Sequence, residues 1–194
     1  RVSLVGSEMC IRDRFEFGSK FELESLMGSL SFYQSKKKNS IFRDSQNFIV
    51  DNGKTDHKGV ELSLSIFVNL RNTINANITY GDHRYDFETD TSMREKIRVD
   101  NKIDTAPKIM ANLLWNININ DDSNLSLEIE HMDSYYTDAA NLHEYEGHTL
   151  YHARFNREFS ESLKGYLRIE NLTDKRYAER ADFNAFGGDR YFPC

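Results

Sequence analysis

The sequence predicts an all-β fold of about eight long antiparallel strands in up-and-down order. It reads as a transmembrane β-barrel fragment, expected to form an open, curved sheet. Three observations carry the prediction. Apolar residues recur at every second position over segments of roughly 10 to 16 residues, the period of a strand with one greasy and one wet face. Connections between these segments alternate between short and long, as in an outer-membrane barrel with tight turns on one rim and loops on the other. Apolar residues do not recur at three and four, so amphipathic helices do not account for the pattern.

The strands follow in order. Phe15, Phe17, Phe21 and Leu23 mark the first, near 15–24, and Leu26, Gly28, Leu30 and Phe32 the second, near 26–42. Val60, Leu62, Leu64, Ile66 and Val68 alternate with Glu61, Ser63 and Ser65 in the third, near 55–69. Ile74, Ala76, Ile78 and Tyr80 alternate with Asn75, Asn77 and Thr79 in the fourth, near 74–88. The fifth, near 106–119, sets Ile109, Ala111, Leu113, Trp115, Ile117 and Ile119 against Asn112, Asn116 and Asn118. Leu125, Leu127 and Ile129 mark the sixth, near 125–138. Tyr151, Ala153 and Phe155 mark the seventh, near 147–159. The eighth, near 163–178, carries Leu163, Gly165, Leu167 and Ile169 against Lys164, Tyr166 and Arg168. Short turns are expected at Glu24–Ser25, Leu70–Thr73, Asn120–Asn124 and Ser160–Ser162. Longer polar segments are expected at Arg43–Lys54, Glu88–Thr105, Ala139–Glu146 and Arg180–Pro193.

Composition agrees with strands. Of 194 residues, 39% are hydrophobic and 29% charged, and no apolar run reaches the roughly 18 residues of a spanning helix. A β-barrel needs no such run, because only alternate residues meet lipid. Aromatics are frequent (Phe 13, Tyr 10, Trp 1) and Pro is rare (2), which suits long strands. The net charge of −6 and the lack of a basic stripe argue against nucleic acid as a partner. Two aromatic girdles are expected at the headgroup levels. Trp115 and Phe159 lie on the short-turn side, and Tyr80, Tyr135, Tyr151 and Tyr177 on the loop side.

The stretch from Arg168 to Pro193 reads RIENLTDKRYAERADFNAFGGDRYFP. Its Asn171-Leu172-Thr173-Asp174-Lys175-Arg176-Tyr177 element and its Arg190-Tyr191-Phe192-Pro193 close resemble the penultimate strand and last outer loop of TonB-dependent outer-membrane receptors. Gly53-Lys54-Thr55 with Lys58-Gly59-Val60-Glu61-Leu62 is similar to a strand start of that family. His131 through Asp138, continuing to Tyr145-Glu146-Gly147-His148, is similar to a strand–loop–strand of its ferric-chelate branch. The resemblance implies a barrel of about 22 strands with a plugged lumen. It implies TonB-driven uptake of a scarce ligand, a ferric siderophore or similar iron chelate first among them. The partners implied are outer-membrane lipid, the small-molecule ligand and the TonB complex. The location implied is the outer membrane of a Gram-negative bacterium. A plug, a TonB box and one further strand would lie outside this sequence, so the chain is expected to be partial.

The N-terminal stretch LVGSEMCIRDR resembles the in-frame translation of a transposase sequencing adapter. Residues 1–14 are therefore expected to be foreign, and 15–194 to be the partial receptor barrel. Cys194 is expected to open a second adapter read, because the resemblance implies Gly after Phe192-Pro193. With Cys10 and Cys194 set aside, no disulfide and no thiolate metal site is expected.

No catalytic residue, cofactor site or metal site is assigned. His131, His143, His148 and His152 lie close in sequence, with Glu144 and Glu146 among them, but their spacing matches no zinc signature. The His148–His152 spacing has its metalloprotease meaning only on a helix with Glu after the first His, and Thr149 stands there. Asp121, Asp122 and Asn124 read as a turn, since no calcium-loop pattern surrounds them. Ligand contact is expected from His143, His148, Arg180, Arg190 and Tyr191. Arginine forks and aromatic rings suit an anionic, aromatic chelate. Loop packing and pairing with Glu179, Asp182 and Asp189 compete for the same arginines. The loop cations Arg94, Lys96, Arg98 and Lys102 are further possibilities. Two other readings stay open: a barrel enzyme using His131 or His148 with Asp133 and Ser134, and a soluble ligand-binding sheet with the greasy rows inside.

Overall fold

The computed structural model describes residues 10–44, 47–89, 96–184 and 188–192. Pro193, Cys194, Gly187, Arg94 and the first nine residues lie outside them. Eight strands form one sheet, each hydrogen-bonded to the next along the chain: β1 (Ile11–Leu23), β2 (Leu26–Arg43), β3 (Ile49–Asn69), β4 (Asn72–Tyr85), β5 (Ile109–Asn120), β6 (Ser123–Met132), β9 (His148–Ser160) and β10 (Leu163–Ile169). Every pairing is antiparallel. The sheet does not close, because β1 and β10 are its two edges. Two small hairpins stand apart from it: β7 (Tyr135–Tyr136) with β8 (Glu144–Tyr145), and β11 (Arg180–Asn184) with β12 (Gly188–Phe192).

Connection lengths alternate as expected. Two-residue turns join β1–β2, β3–β4, β5–β6 and β9–β10 on one rim, and the longer segments all rise from the other. The segment 43–54, expected as a long loop, is mostly strand. β2 and β3 extend past the rest of the sheet, 18 and 21 residues long, and meet in a five-residue connection. The run Asp51–Lys54 is polar and carries Gly53, so no hydrophobic alternation marks this part of β3. The last strand stops at Ile169, short of 178, where Asn171 adopts φ 51° and turns the chain back. Its amide side chain donates to the Lys175 carbonyl and accepts from the Lys175 amide, both at 2.9 Å.

Register turns the alternation into two faces. Leu23, Leu26, Ile66, Ile74, Trp115, Leu127, Ala153 and Ile169 are successive cross-strand partners, one row across all eight strands. The next row runs Phe21, Gly28, Leu64, Ala76, Leu113, Ile129, Tyr151. Among the described residues no protein layer covers these rows: Leu23 is 63% exposed and Ile169 45%. A contiguous bare apolar surface of this extent marks an interaction face. The opposite face is polar and self-bonded. Ser63 donates to Asn77 (2.9 Å), Ser65 to Asn75 (2.8 Å), Asn112 to Glu128 (2.7 Å) and Ser126 to Asn116 (2.7 Å).

The apolar band has an upper limit. Beyond the row Phe32–Val60–Tyr80–Ile109, the same face carries Gln34–Lys58–Asp82 and then Lys36–Asp56–Arg84. Asp82 bridges Lys58 (3.4 Å) and Arg84 (3.0 Å) there. Of the expected girdle aromatics, Trp115, Phe159, Tyr80 and Tyr151 share the apolar face. Tyr135 and Tyr177 do not. Tyr135 is buried among loop residues, and the Tyr177 ring packs on His148 at 4.9 Å.

Candidate functional site

The buried core of this molecule sits in the loop layer rather than on the sheet. One cluster joins Tyr135, Tyr145, Ala178 and Ala181, with Met132 packed against it. The two tyrosine hydroxyls replace strand pairing there. Tyr135 donates to the Ala181 carbonyl (3.2 Å) and accepts from the Ala181 amide (2.8 Å). Tyr145 does the same with Ala178, at 3.3 and 3.0 Å. A small side chain at 178 and 181 lets each ring reach the backbone. The Phe183 amide donates to the Thr137 carbonyl at 3.0 Å, so the β11–β12 hairpin is tied to the loop after β6 at Ala181 and Phe183, and the chain leading into it at Ala178.

A second cluster joins Tyr85, Ile97 and Ala139, flanked by Phe42, Phe87 and Ile103. It docks the segment after β4 onto the β2–β3 extension. Tyr85 donates to Asp104 at 2.6 Å. Asn141, at φ 60°, acts as a piece of strand: its side chain accepts from the Lys102 amide (2.7 Å) and donates to the Lys102 carbonyl (2.8 Å). Asp138, 3% exposed, accepts from the amides of Leu142 (2.9 Å) and His143 (2.8 Å) and shapes that loop.

Where these loops meet, they leave a pocket of about 210 Å³. Arg43, Arg180 and Arg190 bring three guanidinium groups to it, with four carboxylates, Asp44, Asp104, Asp138 and Asp182, among them. Phe42 and Phe183 supply ring surface. Asp182 holds both C-terminal arginines, Arg190 at 2.6 Å and Arg180 at 3.5 Å, while their side chains stay 49% and 66% exposed. A guanidinium has five donors in a fixed fork. One carboxylate therefore orients each arginine and leaves donors directed to solvent. His143 stacks on Phe183, with centroids 3.7 Å apart and planes 10° apart.

Of the five residues expected to contact ligand, Arg180 and Arg190 line this pocket, and His143 reaches it through Phe183. Tyr191 and His148 lie elsewhere. Tyr191 packs near Tyr145 (6.2 Å), and His148 accepts from or donates to the Tyr145 hydroxyl at 2.9 Å. Both belong to the support of the hairpin rather than to the pocket wall. Lys96, Arg98 and Lys102 do not line the pocket either. Arg43 and Phe42 had no signal in the sequence, since their place depends on the β2–β3 extension. His131 and His148 point to opposite faces, one partnered with Thr149 and the other with Met132, and their side chains bond Thr149 and Tyr145 respectively.

Gly147 is the hinge between β8 and β9, at φ +75°, a conformation that side chains rarely adopt. A Cβ there would also strike the backbone of Met132 and Asp133. Gly188 has the same φ, +74°, with open space around it. Gly188→Ala is expected to cost about 1–2 kcal/mol from conformation alone, and Gly147→Ala clearly more. Equal shifts of the unfolding midpoint would contradict the clash.

A second polar feature lies above the apolar band. His57 and His83 are register partners, and their Nδ1 atoms are 3.1 Å apart. Burial pushes the His57 imidazole down to about 4, with the charges of His83, Lys37 and Arg12 adding to it against Asp56. Between about pH 6.5 and 4 the unfolded chain binds a proton at His57 that the folded chain refuses. Stability from this group is thus present above pH 6.5 and lost as pH falls through about 4. In chelator-treated protein, the thermal midpoint should fall over that window, and by less in His57→Gln. Identical profiles would refute the assignment.

Comparison with known proteins gives a consistent result. Residues 13–172 match the family described as TonB dependent receptor-like, beta-barrel. No curated relative matches the chain. Among solved structures, the siderophore receptor PiuA from Acinetobacter baumannii is 22% identical with a TM-score of 0.74, over 86% of this chain and 25% of that one. The ferric yersiniabactin uptake receptor FyuA from Yersinia pestis is 16% identical with a TM-score of 0.77, over 94% and 28%. The ferric citrate transporter FecA is 17% identical with a TM-score of 0.78, over 93% and 29%. The chain thus spans about a quarter of the length of the structures it matches.

Proposed function

This chain belongs to the TonB-dependent receptor-like β-barrel family, a family of outer-membrane transport receptors rather than enzymes, and from that premise we propose that it supplies barrel wall and outer loops to a receptor for an anionic ferric chelate. The chelate is a ferric siderophore or a similar scarce iron complex. It is captured among the outer loops and then moved inward by TonB acting through the receptor's plug, in the outer membrane of a Gram-negative bacterium. On this reading residues 15–194 are receptor, and 1–14 are a translated adapter.

The pocket that gathers Arg43, Arg180 and Arg190 beside Phe42 and Phe183 carries the reading. Charge-assisted bonds from arginine to chelate oxygens, and rings against an aromatic chelator, are the contacts this donor set supports. The bare apolar rows would meet lipid while the Ser/Asn/Glu rows meet a wet lumen, so neither face leaves its groups in the wrong solvent. The test is uptake. An iron-starved host without its own ferric-chelate receptors should grow on one of a panel of catecholate and carboxylate ferric chelates when it expresses the receptor carrying this chain. That growth should vanish without TonB. Failure on every chelate, with the receptor present in the membrane, would overturn the proposal.

A further inference from the structure

We propose that His57 and His83 form a two-imidazole site for a divalent first-row cation, Cu²⁺ foremost, on the polar face of the sheet above the apolar band. They sit directly opposite each other on β3 and β4. Their Nδ1 atoms are 3.1 Å apart, with ring centroids at 5.1 Å and planes tilted by 53°. Two imidazole nitrogens at about 2.0–2.1 Å from one metal ion and 3.1 Å from each other subtend about 100° at it, between the right angle of a square site and the tetrahedral angle. The pair therefore already has the bite of a chelate. Without a cation, a single proton must lie between two nitrogens that otherwise present lone pairs to each other.

The surroundings favour that tautomer. Thr55 Oγ1 lies 2.8 Å from His57 Nε2. A proton on Nε2 donated to this hydroxyl leaves Nδ1 as the ligand atom, the outer partner that a metal-binding imidazole ordinarily has. His83 is set by packing. Its ring lies over Gly81, where a Cβ would meet His83 Nε2 at 2.5 Å, and Tyr33 stacks on it at 6.4 Å. Gly81 is in turn the partner of Gly59, over which the Tyr33 hydroxyl lies. Two opposed glycines thus clear the floor on which Tyr33 and His83 rest.

The ligand set selects the ion. It is neutral and nitrogen-only, because Asp56 and Asp82 take the alternate positions and point to the other face. Imidazole suits copper, nickel and zinc, and Cu²⁺ heads the affinity order for such ligands. Among the described residues no cluster of three or more His, Cys, Asp and Glu could hold a metal. The remaining coordination positions would be filled by water or by an incoming donor. The site uses neither Arg180 nor Arg190, so it stands apart from the pocket between the loops.

The receptor carrying this chain, purified in detergent, stripped with EDTA and thiol-alkylated, is titrated with CuCl₂ alone. One Cu²⁺ should bind per chain with nitrogen hyperfine structure from two imidazoles in its electron paramagnetic resonance spectrum. His57→Gln and His83→Gln should each weaken binding at least tenfold and remove the two-nitrogen signature, whereas His152→Gln should leave both unchanged. Heat-modifiable migration on gels confirms that each variant is folded. Absence of bound Cu²⁺ in the unsubstituted protein, or a signature that survives either substitution, would refute the site.

Discussion

Leu113→Arg is expected to lower the stability of the lipid-embedded protein by about 2–4 kcal/mol, while Leu114→Arg, one residue further on, costs well under half of that. The two leucines are chemically identical neighbours on β5. Leu113 stands in the apolar row between Ala76 and Ile129, near the middle of the band, and is 38% exposed because no protein covers it. Leu114 stands between Asn75 and Glu128, in the polar row. A guanidinium at 113 must be taken into hydrocarbon or snorkel past it. At 114 it enters water and has Glu128 as a neighbour. Urea titration in lipid vesicles reads the difference. Equal destabilisation would remove the distinction between a lipid face and a lumen face, and a larger cost at 114 would place the apolar rows inside, as in a soluble binding sheet.

Arg180→Glu combined with Arg190→Glu is expected to weaken chelate capture at least about 100-fold, since each charge-assisted hydrogen bond contributes roughly 1.5–3 kcal/mol. Reversal also sets two new carboxylates against Asp44, Asp104, Asp138 and Asp182 in the same pocket. Asp182→Asn probes orientation instead of charge. It loosens both arginines without removing them, and should weaken capture by a smaller factor, about tenfold, even though it removes one of the pocket's four carboxylates. Binding of a radiolabelled ferric chelate to whole cells measures both. Undiminished binding in the double variant would move the capture site away from these loops. Tighter binding in Asp182→Asn would show that the carboxylate opposes the ligand rather than positions the arginines.

Much of the site's character was legible in the chain, and much of its membership was not. Arg180 and Arg190 could be picked out because they flank a loop-forming stretch that resembles a known last outer loop. Tyr191 was chosen on the same grounds and His148 from the histidines grouped between 131 and 152, and the structure sends both to the Tyr145 cluster. No local pattern says which side of a two-strand hairpin faces a neighbouring loop. Arg43 was passed over because strand β2 was read as ending at 42 and the next residues as loop. The facing strand β3 begins at Ile49 and crosses the polar run Asp51–Lys54, where hydrophobic alternation has nothing to report. The His57–His83 pair was invisible for a related reason: two histidines 26 residues apart meet only when the register of β3 against β4 is known.

The period of two, the places of the short turns and the count of eight strands in the main sheet came from the sequence alone. Each is a local property: a side chain alternates across a strand whatever its neighbour does, and a short polar break admits only a tight turn. The tertiary structure decided the loop layer. Tyr135 bonds the backbone of Ala181, Asn141 that of Lys102, and Asp182 gathers Arg180 and Arg190 beside Arg43. These contacts join residues distant in sequence, through single hydroxyls, amides and carboxylates whose partners carry no periodic signal. Alternation is written in every residue, but the choice of partner is made only when the segments are brought together in space.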